Sequence, residues 1–165
     1  MRLLNPVTLA ISILAAVLIL VNPTTAELIQ SSGEYGYIGA FVVGVFYTSG
    51  LTAPIALATL YLMGKTLDPF LLSVIAALGA LVSDTLMLQA MIGGVQIDDK
   101  FLKRHPLISK YVRVFGFLLF ALPLPDEVPI SLLGITRTDV KKVVPFIYLA
   151  KFVGIFTIAT ASRII

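Results

Sequence analysis

Four ionisable residues fall inside or between long apolar stretches of the chain: Asp84, the adjacent pair Asp126 and Glu127, and Lys151. A charge at the centre of a membrane helix costs about 2.5–3.5 kcal/mol on insertion scales, so it faces a cavity, a partner or a proton path. Asp126 and Glu127 sit in a Pro-rich break, Pro123-Leu124-Pro125-Asp126-Glu127-Val128-Pro129. Adjacent carboxylates repel, which suits proton uptake and makes the pair the leading candidate for substrate or proton coupling. A structural role competes: the pair caps the helix that follows, with Pro129 in its first turn. Asp84 and Lys151 each lie about 12 Å, by helical rise, from the same end of their apolar runs. Matched depth predicts an ion pair between two spans, serving as a lock or broken during transport; a snorkelling Lys151 is the plain alternative.

A second break, Thr48-Ser49-Gly50-Leu51-Thr52-Ala53-Pro54, carries hydroxyls instead of acids. Thr48, Ser49 and Thr52 either line a polar site or satisfy backbone groups freed at Gly50 and Pro54. Other chemistry is thinly supplied. With no cysteine and one histidine, His105, the chain has almost no ligands for a metal, haem or thiolate mechanism, so no cofactor is expected. A Gly-x-x-x-x-Gly-Lys phosphate loop is missing, and an intramembrane hydrolase would need paired groups that one loop histidine does not supply. The expectation is a protein that is not an enzyme.

The elements that must position these residues are set by composition. Of 165 residues, 58% are hydrophobic and 13% charged, and the mean hydropathy is +1.01, against roughly 25% charged residues in soluble domains. The fold class expected is an all-α membrane protein with about three transmembrane helices and two re-entrant helical hairpins. Residues 1–22 read as a transmembrane helix, or as a secretory signal cut after Thr24-Thr25-Ala26, with the uncleaved helix favoured, and the polar stretch Asn22 to Tyr35, with no Lys or Arg, follows as a connector. Gly36 to Met63 is broken into pieces of roughly 13 and 10 residues, which cross only about 20 and 15 Å, so a hairpin with its tip near Gly50 is preferred to one kinked span. Pro69 to Ile92 spans. Residues 93–113 form a charged connector, and 114–161 repeat the pattern with a hairpin broken at Pro123, Pro125 and Pro129 and a last span, Val143 to Ala161. The small residues Ala76, Ala77, Gly79, Ala80 and Ser83 suit close helix packing.

Charge orients the chain. Lys100, Lys103, Arg104, Lys110 and Arg113 in the stretch 95–113, with Arg137, Lys141 and Lys142, lie on one side only if both breaks turn the chain back, leaving Lys65 opposite. Positive-inside bias makes that basic side cytoplasmic in a multi-pass cell-membrane protein. These cations flank apolar segments, so nucleic acid is not implied. The halves also share an order of residues. Pro54-Ile55-Ala56, Pro69-Phe70 and Gly79 are matched at nearly equal spacing by Pro129-Ile130-Ser131, Pro145-Phe146 and Gly154, as an inverted-topology repeat requires.

Gly36-Tyr37-Ile38-Gly39-Ala40-Phe41, Leu67-Asp68-Pro69-Phe70 and Gly79-Ala80-Leu81-Val82-Ser83-Asp84 are similar to the first half of the DedA family, which shares the VTT domain and is also called the SNARE-associated Golgi protein family. Pro123 through Gly134, then Arg137 and Lys141-Lys142 before Pro145-Phe146, resembles its second half, so the resemblance covers about Tyr35 to Thr160, a membrane domain over 35–160. In that family the acidic Pro-rich motif lies in the first hairpin; here the acids lie in the second, and family arginines fall on Phe120 and Asp126. The resemblance implies a flippase or scramblase for lipid-linked phosphate carriers or phospholipids, driven by the proton gradient, with a phosphate-bearing lipid as partner. Glu127-Val128-Pro129-Ile130 is also similar to small multidrug-export proteins. A non-transporting membrane scaffold or assembly protein is the remaining alternative, and a homo-oligomer is compatible with each.

Overall fold

The computed structural model describes residues 6–31, 33, 35–94, 106–119, 126–136 and 138–164, with backbone alone at 106, 108, 109, 113, 117 and 118. Lys100, Lys103, Arg104, His105, Arg137, Pro123 and Pro125 lie outside the described residues. Among the described residues every regular element is a helix: α1 Pro6–Val21, α2 Pro23–Gln30, α3 Tyr35–Tyr47, α4 Ala53–Gly64, α5 Pro69–Gly94, α6 Pro106–Leu119, α7 Glu127–Ile135 and α8 Val140–Ala161. The helices α5 and α8 are long and apolar enough to cross a membrane. The α1–α2 pair makes a third crossing if its two helices, bent by 76°, count as one. Over its described residues the chain is an all-helical membrane protein.

Local chemistry sets the helix ends. Asn22, expected to open a polar connector, instead starts α2: its side chain accepts from the Thr24 N–H at 3.0 Å, and Pro23 takes the first helical position, where a missing N–H is harmless. Asp68 does the same for α5, accepting from the Leu71 N–H at 2.9 Å ahead of Pro69. Asp139 starts α8 by accepting from the Lys141 N–H at 3.1 Å. The helix α6 begins at Pro106, earlier than the expected Val114. Leu107, Tyr111, Val114 and Phe115 form a helical stripe that the interleaved Lys110 and Arg113 disguise as connector.

The first broken segment doubles back. Gly36 lies against Leu67 and Gly39 against Met63, and the Asp68 N–H donates to Tyr37 Oη at 3.3 Å, so α4 returns to the end where α3 began. At that same end Arg163 donates from Nε to the Gly64 carbonyl (3.1 Å) and from Nη2 to the Leu67 carbonyl (2.7 Å), which satisfies acceptors left open as α4 finishes. At the other end of the molecule Gly134 packs on Met91.

Two apolar cores result. One joins Ala40, Leu60, Met63, Leu72 and Ala76 to Ile155 and Ala159; the other joins Leu88 to Ile130, Leu133, Val143 and Ile147. Both long helices run through both cores. Asp84 lies between Ala76 and Leu88 on α5, and Lys151 lies one turn from both Ile147 and Ile155 on α8, so the charges share the layer between the cores. Outward residues such as Leu86, Leu149 and Val153 are exposed and apolar, as a lipid-facing surface requires.

Candidate functional site: a buried acid and lysine cluster

The polar layer is assembled from both breaks and both long helices. Lys151 Nζ hydrogen-bonds to Asp126 Oδ2 and stands 3.4 Å from Asp84 Oδ2. Asp84 is fully buried and Lys151 and Asp126 nearly so, at 5% and 9% exposure. A single ammonium therefore bridges the tip of the second break to α5, in addition to the ion pair expected from depth. The Tyr47 ring lies 5.1 Å from Lys151 Nζ, and its electron-rich face adds to the cation's surroundings.

Glu127 takes a different route. It opens α7, yet its Oε1 accepts the Gly50 N–H at 2.8 Å, joining the second break to the first. Asp126 stands in the capping position of α7 but makes no side-chain cap, because its carboxylate is turned to Lys151. The capping reading of the acidic pair is thus replaced by long-range contacts from both side chains. Pro129 is buried within α7, and Pro54 sits in the first turn of α4, where proline ring geometry is tolerated.

The hydroxyls divide. Thr48 Oγ1 donates to Ser83 Oγ at 2.9 Å, tying the first break to α5 one residue before Asp84. Thr52 serves the turn itself, donating to the Phe46 carbonyl. The Ser49 carbonyl accepts from the Thr52 and Ala53 N–H groups at 3.0 and 2.8 Å. Sequence reasoning missed Tyr47 and read Ser83 as packing alone; position was the available signal, since one precedes a break and the other precedes an intramembrane acid.

Not every acceptor is answered. Neither Asp84 oxygen accepts a hydrogen bond, and Glu127 Oε2 is buried without one. Asp84 and Asp126 share one ammonium, and Glu127, on the Gly50 amide, adds a third carboxylate to the same buried layer. Among the described residues no three or more acidic or imidazole groups converge in a metal-binding arrangement. What the layer can do chemically is hold the halves together through charge and rearrange when that charge is altered. No protein-family model, no curated protein and no solved structure matches this chain.

Proposed function

We propose that the chain is a small membrane transporter of the DedA type, a flippase or scramblase for lipid-linked phosphate carriers or phospholipids, with proton coupling as its drive. One observation carries the reading: the two chain breaks meet, with Glu127 on the Gly50 amide and Asp126 on a lysine that also faces Asp84. Interrupted hydrophobic segments in matching halves are where secondary transporters place their sites. In this reading both hairpins are re-entrant and the halves form an inverted repeat, with the stretch 95–113 cytoplasmic. The packing supports it, since α4 lies on α8 as its counterpart α7 lies on α5. Protonation of an acid in the cluster loosens its hold on Lys151 and frees the tips to part.

The test is reconstitution into phosphatidylcholine vesicles with fluorescent phospholipid or polyprenyl phosphate. Inward and outward movement well above that of protein-free vesicles is expected. Folded protein that moves neither lipid overturns the reading. Export of cationic amphiphiles is the second reading, favoured by the excess of buried carboxylates, and a cationic dye loaded into the same vesicles decides it.

A further inference from the structure

The two acids beside Lys151 are treated unequally. Lys151 Nζ hydrogen-bonds to Asp126 Oδ2, whereas its approach to Asp84 Oδ2, at 3.4 Å, makes no hydrogen bond, and both oxygens of the wholly buried Asp84 are without a partner. An ionised carboxylate with two bare oxygens in an apolar interior is very costly; a neutral carboxyl group in the same place costs far less. One ammonium neutralises one carboxylate, and two carboxylates that share a site do not both stay ionised. The second charge is therefore removed by a proton, and in the arrangement described the acid left without a hydrogen bond is Asp84.

The other groups around Asp84 leave this balance in place. From α8 comes Lys151, while Tyr148 stacks on Phe152 instead. From α3 comes Tyr47, whose ring lies against the lysine. The ionisable groups of α4, Tyr61 and Lys65, lie in or just past its last turn, away from the tip. From α7 comes Glu127, which receives the Gly50 N–H and opens a helix, a setting in which negative charge is well placed. Access separates the two aspartates as well: the Asp126 side chain is 12% exposed and that of Asp84 not at all, so exchange with water takes place at Asp126.

Resting on the transporter reading, we infer that Asp84 and Asp126 are alternative seats for one coupling proton, and that its position decides whether Lys151 holds the tip of the second break. With the proton on Asp84, Lys151 binds Asp126 and the tips are joined, as in the structure. When the proton passes across, its bond to an Asp84 oxygen breaks as one to an Asp126 oxygen forms, and Lys151, keeping all its own protons, moves to the newly ionised Asp84. The three groups sum to zero charge in both states. Neither state strands a charge, and in the second the neutral Asp126 is free to leave with its tip.

The infrared C=O stretch of a protonated carboxyl group, which carboxylates lack, reads this proton in the full chain in phosphatidylcholine vesicles near neutral pH, where exposed carboxyl groups are ionised. The native protein is expected to show the band. Asp84→Asn and Asp126→Asn should each abolish it, because one acid then remains for one ammonium, while Glu127→Gln keeps it. A native protein without the band, a band that survives either aspartate change, or one lost in Glu127→Gln overturns the inference. Thermal unfolding in detergent separates the two seats. Asp84→Asn, whose amide stands in for the protonated acid, is expected to keep the native midpoint, and Asp126→Asn to lower it. An Asp84→Asn protein that loses as much as Asp126→Asn, or does not fold, marks Asp84 as ionised and sinks the proposal. Because Asp84→Asn leaves Lys151 on Asp126 permanently, movement of fluorescent phospholipid should slow about tenfold or more. If native protein moves lipid and Asp84→Asn moves it equally fast, the shared proton falls as a switch and the transporter reading stands. If native protein moves none, the transporter reading falls, and the infrared band alone decides where the proton sits.

Discussion

The two broken segments make similar turns from opposite materials. The first is neutral: its hydroxyls serve its own turn or α5, and what it gives to the other half is one backbone N–H, that of Gly50. The second is acidic, and both of its carboxylates leave their own helix to bind elsewhere. Packing differs in the same sense. In the first half α3 lies so close on α5 that a Cβ at Gly44 would meet the Ala76 carbonyl and one at Gly79 the Phe41 carbonyl. In the second, α6 packs on α7 and, among the described residues, makes no comparable contact with α8. One half is held by backbone proximity; the other is held at its tip by charge. In the transporter we propose, such a division lets one half act as a frame while the other responds to protonation or cargo.

The difference can be broken most severely at the shared cation. Lys151→Met strands Asp84 and Asp126 without a counter-charge and is expected to cost about 3–5 kcal/mol, read as lost thermal stability in detergent. Adding Asp126→Asn to Lys151→Met should restore part of that loss, with the pair departing from additivity by about 0.5–3 kcal/mol. Next comes the bond between the breaks. Glu127→Ala should cost about 1.5–3 kcal/mol as a charge-assisted hydrogen bond is lost, and Glu127→Gln less, since its oxygen still accepts. The packing contrast is sharpened by two equivalent glycines. Gly79→Ala should destabilise by about 1–3 kcal/mol because the new Cβ meets backbone. Gly154→Ala, whose nearest neighbour would be Tyr47 Oη at 3.6 Å, should be neutral or stabilising by about 0.5–1 kcal/mol. Equal effects in the two would dissolve the distinction. The smallest change expected is Thr48→Val, about 0.5–1.5 kcal/mol, through loss of the bond to Ser83.

Much of this arrangement is legible in the residues. Depth along two apolar runs paired Asp84 with Lys151, because helical rise converts sequence distance into height directly. Pro54 and Gly50 marked a break, and the doubling back of α4 agrees with it. Asp126 and Glu127 were legible as important but not by destination. Local rules point both at the N-terminus of α7, and only the docking of the two halves sends one to Lys151 and the other to Gly50. The helix α2 shows the reverse case: its Asn22 and Pro23 were a complete start signal, outweighed by the polarity of the stretch they open. The full packing of α6 could not be read, because an amphipathic stripe states which face is apolar and not which neighbour covers it.

The Gly50 amide carries a last consequence. Peptide hydrogens in turns usually exchange with solvent quickly, since local fluctuation is enough to expose them. This one is held by a carboxylate from the opposite half, in a buried residue whose neighbour Leu51 is exposed. It should exchange for deuterium only when the halves separate, while the Leu51 amide keeps a local clock. The ratio of the two uptake rates then measures how often the resting protein opens, with no lipid, label or gradient applied.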